Sequence, residues 1–559
     1  MKHNYRETLR IFLYLIVGIH FYALYQAWEA DNQPVAKNNV ASKSATLPDQ
    51  IVPIKDSPQL PVQSPKDTPS ANQIEAPIFS STPSIKTTSA SLVETSTDGF
   101  TAKLSSVGGD IQAIVLSSYF NANNTNYEIL GNSEQEYLML QSGFTTNGDQ
   151  TMLPELTSDY RLIEKSRGDV SVITFAWSND QITVLKSYSF YKSSFEVDLA
   201  LTVITSDKLK NNIDIFPFVQ QVATPRTKPI FSSSYLGAAT FNEEQGYKKL
   251  SYSTLQEGSY KATLKDSWFA FVDHYFVSAW IPPKDQATDY YSRASANKGK
   301  VILGGFLPGK NIGPASKETW HSKFYFGPKS SKKLEKTTPT LSKVIDYGIL
   351  SFLSKPMFWL LEFFHENVGN WGWAIVLLTF VIRAILYYPA EIAFVSMANI
   401  KKVQPEMLAL KERHADDRQK LGIEMMRLYK ENKINPLSGC LPVLLQIPVF
   451  IALFWMLSES VEMKYSPWIL WIKDLSEADP FYVLPVLMTM SMIVQQKLTA
   501  QPADPLQQKI FSMLPLVFGA MSIIFPSGLV LYWVVNNILS VLQQLVIEYR
   551  LKLKEDRAH

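Results

Sequence analysis

The residue in this chain best placed to do chemistry is Arg383, because it stands in an apolar run, "LLTFVIRAILYYP", Leu377 to Pro389. A guanidinium keeps its charge inside proteins and costs roughly 2.5–3.5 kcal/mol at the centre of an inserted helix. Its chemistry is that of a multidentate donor to carboxylates or carbonyls. On a 3.6-residue helix Thr379 and Tyr387 share its face. The same step of four recurs in a later apolar run, where Tyr532, Asn536 and Ser540 align and Gln543 and Gln544 follow. Gln446 sits within another apolar run, and Thr489 and Ser491 within a fourth. Polar groups on several apolar helices read as one shared wet face. The plainer reading is that Arg383, about 9 Å of helix rise from Pro389, snorkels to water. Its aligned partners favour the wet face.

Other candidate chemistry is weak. "GGFLPGKN", Gly304 to Asn311, has the spacing of a phosphate loop as far as Lys310. The magnesium-holding Ser or Thr is replaced by Asn311, and Gly and Pro follow where a helix should start. A turn between strands is expected. The histidines His3, His20, His274, His321, His365, His414 and His559 do not pair at metal-ligand spacing. No nucleophile elbow or zinc-peptidase motif occurs. No enzyme, cofactor or metal is therefore expected. Cys440 is the only cysteine, so no intramolecular disulfide forms, and it reads as a small packing residue.

The elements that must position these groups follow from composition. The chain has 559 residues and formal net charge +2, which suggests several domains and disfavours a nucleic-acid binder working through bulk charge. Residues 1–10 form a basic N-terminus. Residues 11–28 are an apolar segment after Lys2, Arg6 and Arg10, with Trp28 where a signal peptidase would need a small residue. An uncleaved anchor with a cytoplasmic N-terminus is expected. Residues 29–96, punctuated by Pro34, Pro48, Pro53, Pro58, Pro61, Pro65, Pro69, Pro77 and Pro83, read as a disordered exported linker. Residues 97–336 hold β-branched and aromatic runs such as "ITVLKSYSFY" separated by turn clusters such as "SVGGD", the pattern of a large antiparallel β-sandwich. Residues 342–366 read as an interfacial amphipathic helix or, more plainly, as a linker helix packed on the β domain, with its apolar run broken at Pro356.

Five more spans are expected at 371–389, 437–457, 481–496, 510–526 and 528–547, the last two divided by "FPSG". Lys and Arg crowd residues 390–436 and the tail 548–559, while Asp and Glu prevail in the loop 458–480. Six spans with both termini cytoplasmic satisfy that bias, with 497–509 a cytoplasmic loop. Residues 390–436 read as a cytoplasmic helical hairpin kinked at Pro405 and capped by Asp416 or Asp417. Its charges suit either a solvated face or a docking surface.

Two other classes compete. A solute transporter would carry inverted repeats and intramembrane acids, and none of the core spans holds Asp or Glu. A membrane-anchored carbohydrate-binding or carbohydrate-processing protein would need paired carboxylates in the β domain, and would leave five spans unexplained.

The runs "NPLSGCLPVLLQIPVFIALFWML", "DPLQQKI" and "FPSGLVLYWVVNNILSVLQQ" resemble the membrane core of YidC-type membrane protein insertases. "QAWE" after the first span and "IDYGILSFLSKPMFWLLEFFHENVGNWGWAIVLLTFVIR" from Ile345 resemble the form found in bacteria with two membranes. The resemblance implies a polytopic α-helical inner-membrane protein with six transmembrane helices. Five would enclose a hydrophilic groove open to cytoplasm and lipid, below a large periplasmic β-supersandwich of galactose-mutarotase type without sugar chemistry. It implies that Arg383, Thr379 and the Tyr532–Trp533 pair belong to the substrate groove, with Tyr532 or Trp533 as the groove-facing ring; Tyr387, Gln446 and Asn536 join that expected groove through the polar stripe above. It also implies partners: nascent inner-membrane proteins, Sec translocon components, membrane lipid, and the ribosome or targeting machinery at the hairpin and tail.

Overall fold

Strict alternation of burial along Ile182–Tyr191 shows why the first half of the chain folds as it does: period-two residues place one apolar face inward. The computed structural model describes residues 91–556 except 122–123, 133–136, 167, 227–234, 296–298, 415–416, 433–440 and 500–504. The expected anchor 11–28, most of the expected linker and Cys440 lie outside the described residues. Among the described residues the strands form two antiparallel sheets of ten and nine strands. Ile213–Ala223 is central in the first, between Tyr137–Thr146 and Val301–Phe306. Lys317–Pro328 is central in the second, between Phe276–Ile281 and Glu196–Thr205. Their facing side chains, among them Phe100, Phe175, Leu201 and Trp280, make one core. The exposed edge strand Arg161–Lys165 carries charges, which discourage pairing with another chain. The first strand, Leu92–Ser96, starts before the expected boundary at 97.

"GGFLPGKN" links two strands, Val301–Phe306 and Lys310–Ile312. A Cβ on Gly304 would lie 2.7 Å from the Tyr291 ring, and one on Gly305 2.6 Å from Trp280. These glycines make room for packed aromatics, and Lys310 pairs with Glu318 at 2.7 Å.

The second half is helical: α1 Ser351–Val368, α2 Trp371–Ile385, α3 Tyr387–Lys402, α4 Gln404–Arg413, α5 Arg418–Glu431, α6 Leu441–Glu459, α7 Val483–Leu498, α8 Pro505–Ser522 and α9 Ser527–Asp556. Gly369, at φ +71°, closes α1 by donating to the His365 carbonyl, and the Asn370 side chain then caps α2 at Trp373. Three expectations need correction. Pro356 does not interrupt α1; it and Phe352, whose carbonyl it frees, lie on the exposed face. The apolar run at 371–389 is not one straight helix, because the chain bends by 67° between α2 and α3. Pro405 stands in the first turn of α4, where the missing N–H costs nothing, so the first hairpin arm is broken rather than kinked. The expected tail is helical to Asp556 within α9. Asp417 caps α5 through Lys420 N, and α4 packs on α5 through Val403, Met407 and Leu428.

Among the described residues one helix, Ser527–Leu553, is long and apolar enough to cross a membrane, and the bent α2–α3 pair passes the same test when taken together. The β unit and the helices share a core in which Trp268, Val277 and Tyr325 meet Leu341, Leu361, Met456 and Leu457. Lys329 pairs with Glu459 at the end of α6 at 3.0 Å, both side chains 1% exposed. His274 Nε2 lies 2.8 Å from the Ser458 carbonyl.

Candidate functional site

Arg383 lies in the last turn of α2 and reaches across to α9. Its Nη2 donates to the Asn536 carbonyl at 3.0 Å and to the Ser540 hydroxyl. Both partners are neutral. The Arg383 Nε and the Asn536 Oδ1 are buried with no hydrogen-bond partner among the described residues, so the seam keeps polar valences to spare. From α6, Gln446 donates to the Tyr532 hydroxyl; Tyr532 is 1% exposed. α9 thus carries a line of polar groups answered by α2 on one side and by α6 above.

The bend after Leu386 changes the role of Tyr387. It opens α3 rather than extending the Arg383 face, yet it still meets α9. Gln543 Nε2 donates to its carbonyl at 3.2 Å, and Arg550 Nη1 lies 3.4 Å from its hydroxyl. Thr379 is fully buried and gives its hydroxyl to the Ile375 carbonyl of its own helix at 2.7 Å, so it brings no free donor to the seam. Trp533 stands apart from the polar line, with its ring centroid 4.6 Å from Phe450 and 5.6 Å from Phe518. Between the two candidate rings, Tyr532 is the one in the polar line.

Gln544, expected to continue the Arg383-facing line, instead belongs with Asn537, which the sequence reading did not single out, to a second polar face of α9. Asn537 Nδ2 donates to Ser491 at 3.1 Å, Gln544 Nε2 to the Leu498 carbonyl at 2.8 Å, and Gln496 of α7 to the Phe511 carbonyl of α8. Adjacent letters, Asn536 with Asn537 and Gln543 with Gln544, serve opposite neighbours. The 100° turn between them carries that signal once both faces are known to be covered. Among the described residues no group of His, Cys, Asp and Glu is arranged to hold a metal.

Family models match both halves of the chain: "YidC periplasmic domain" over residues 92–360 and "60Kd inner membrane protein" over 363–555. A curated relative, "Membrane protein insertase YidC" of Nitrosococcus oceani, is 36% identical over 553 residues, covering 96% of this chain and 98% of that one. The protein of the same name from Pseudomonas fluorescens is 36% identical over 568 residues, 99% and 100% of the two chains. This chain belongs to the YidC family.

The β-sandwich is thus the part matched by the YidC periplasmic-domain model, and α2 to α9, but for Asp556, fall within the inner-membrane model. Among solved structures, "Active YidC insertase crystal structure with the first transmembrane domain resolved" covers 80% of this chain and 91% of its own, at 16% identity and TM-score 0.38. The resemblance drawn from "NPLSGCLPVLLQIPVFIALFWML" and "FPSGLVLYWVVNNILSVLQQ" holds over the full length. In this YidC-family chain the seam between α2, α6 and α9 is where the matching helices bring Arg383, Gln446, Tyr532 and Asn536 together.

Proposed function

We propose that this chain is a membrane protein insertase and chaperone that passes short polar segments of new inner-membrane proteins across the bilayer through a groove at the α2–α6–α9 seam. The carrying observation is Arg383: a permanent cation placed between apolar helices, held by a carbonyl and a hydroxyl, with buried valences on Arg383 and Asn536 unspent. Such a site offers a passing carboxylate or carbonyl a charge-assisted bond and shortens the apolar path it must cross. The substrate's own apolar segment then partitions into lipid, and burial of its surface drives the step. No nucleotide or cofactor enters this scheme, and no covalent chemistry is assigned.

In this reading the spans are 11–28, the bent 371–389, 437–457, 481–496, 510–526 and 528–547, with both termini in the cytoplasm of a bacterium with two membranes. Helix α1 lies at the outer surface of the inner membrane. The α4–α5 hairpin and the end of α9 face the ribosome or targeting machinery, and the protein works alone or beside the Sec translocon. Lys-rich 390–436 and acid-rich 458–480 support this orientation.

The test is insertion of one small membrane protein into liposomes carrying the full chain, with acidic or neutral translocated tails. Arg383→Ala is expected to slow the acidic-tail substrate roughly tenfold, the worth of one charged hydrogen bond, and the neutral one little. Wild-type rates for acidic tails with both Arg383→Ala and Arg383→Lys would make Arg383 a snorkelling residue and end this reading of the seam.

A further inference from the structure

The loop between α6 and α7 is built as a rigid turn with an apolar tip. Trp468 N donates to the Ile472 carbonyl at 3.0 Å, Ile472 N to the Ile469 carbonyl at 3.1 Å, and Leu475 N to the Ser466 carbonyl at 3.1 Å. Asn370 Nδ2 bonds the Pro467 and Trp468 carbonyls at 3.1 and 3.2 Å. Ile472 and Leu475 are buried beneath, and Gly528 N of α9 donates to the Leu475 carbonyl at 2.9 Å. The turn cannot fold its apex inward.

That apex is Leu470, 80% exposed and at φ +52°, a conformation a leucine adopts at a cost. Beside it stand exposed Ile469, Phe481 and Tyr482; the Phe481 ring lies 6.2 Å from that of Trp471. A water-facing turn with this backbone would be expected to use Gly or Asn. The tip is also continuous with the outward apolar faces of two helices. Trp468 meets Trp373 of α2 edge-on at 5.8 Å, ahead of exposed Leu377 and Phe380, and Tyr482 leads into exposed Val486, Leu487 and Met490 of α7. Tryptophans at helix ends mark a membrane–water boundary, and exposed Lys473 follows within reach of lipid phosphates.

We infer that the Trp468–Ile472 turn, with Leu470 at its apex and Phe481 and Tyr482 beside it, is a wedge seated in the outer boundary of the lipid bilayer. This rests on the reading of α2 and α7 as spans. The wedge sets the depth at which the outer end of the bundle rides.

The experiment places a nitroxide at Leu470→Cys in the full chain with Cys440→Ser, reconstituted in phosphatidylethanolamine–phosphatidylglycerol vesicles. Met490→Cys serves as the span control and Lys208→Cys as the water control. Collisions at position 470 are expected to favour oxygen over a nickel chelate, as at 490 and opposite to 208. Chelate-dominated collisions at 470 with oxygen-dominated ones at 490 would overturn the wedge alone; chelate-dominated collisions at both would overturn the span reading. Shielding of 470 from both reagents would mean that protein, not lipid, covers the tip, and would also overturn it.

Discussion

Gln446 and Tyr532 satisfy one another inside an apolar bundle, and each loses its partner if the other is truncated. Tyr532→Phe should therefore destabilise the protein by about 0.5–1.5 kcal/mol, the net worth of one hydrogen bond from the half-buried Gln446 amide, while Tyr532→Phe with Gln446→Leu should recover most of it. Thermal unfolding in detergent reads the difference. Arg383 was legible in the sequence because a charge among Val, Ile and Leu is rare enough to stand out. So was the Tyr532, Asn536, Ser540 line, since a step of four survives in any straight helix. Tyr387 was legible as a partner of the seam but not as the start of a new helix. Nothing in "LLTFVIRAILYYP" marks Leu386 as the corner, because Pro389 pointed to an end three residues later. The buried pair of Lys186 with Asp110, 3.0 Å apart, was beyond reach: its members stand 76 residues apart in sequence, and local patterns do not report such contacts.

Between elements, the polar join of the β unit to α6 rests on the buried Lys329–Glu459 pair. Removing one member of a buried ion pair leaves the other uncompensated and costs about 3–5 kcal/mol, whereas replacing both with apolar residues is often neutral. Lys329→Met should thus melt well below wild type, and Lys329→Met with Glu459→Met should return near it. Glu462, close by, behaves in the opposite sense. Burial pushes its carboxyl above the ordinary range, against the hydrogen bond from Ser330, with Glu362 nearby adding to the rise. A raised value means that the folded state holds the proton more tightly. Its favourable contribution is full at low pH and is lost as pH rises through the folded value. Glu462→Gln should accordingly raise the melting temperature at about pH 8, with the gain shrinking as the pH falls toward the ordinary carboxylate range. Asp417 as a cap and the α4–α5 contact were readable from local signals; the break before Pro405 was not, because a proline in an apolar stripe reads equally as kink or start.

At the scale of the whole molecule, the β-sandwich is joined to the bundle through a common core rather than tethered to it. If insertion belongs to the helices, a chain joining residue 30 to residue 341 still inserts substrate. It has lost Lys329 and keeps Glu459, so its melting temperature should fall and Glu459→Gln should restore part of it. Loss of insertion in a stably folded deletion would give the sandwich a direct part in the work. Helix lengths carry a further consequence. α7 has 16 residues and α2 has 15 before its bend, about 24 and 22 Å of rise, against a hydrocarbon core of about 30 Å. On the span reading proposed above, lipid beside these helices thins, or flanking side chains snorkel, to make up the difference. The bilayer itself would then be the weak point of the barrier beside the seam, and vesicles of longer acyl chains should slow insertion by the same protein.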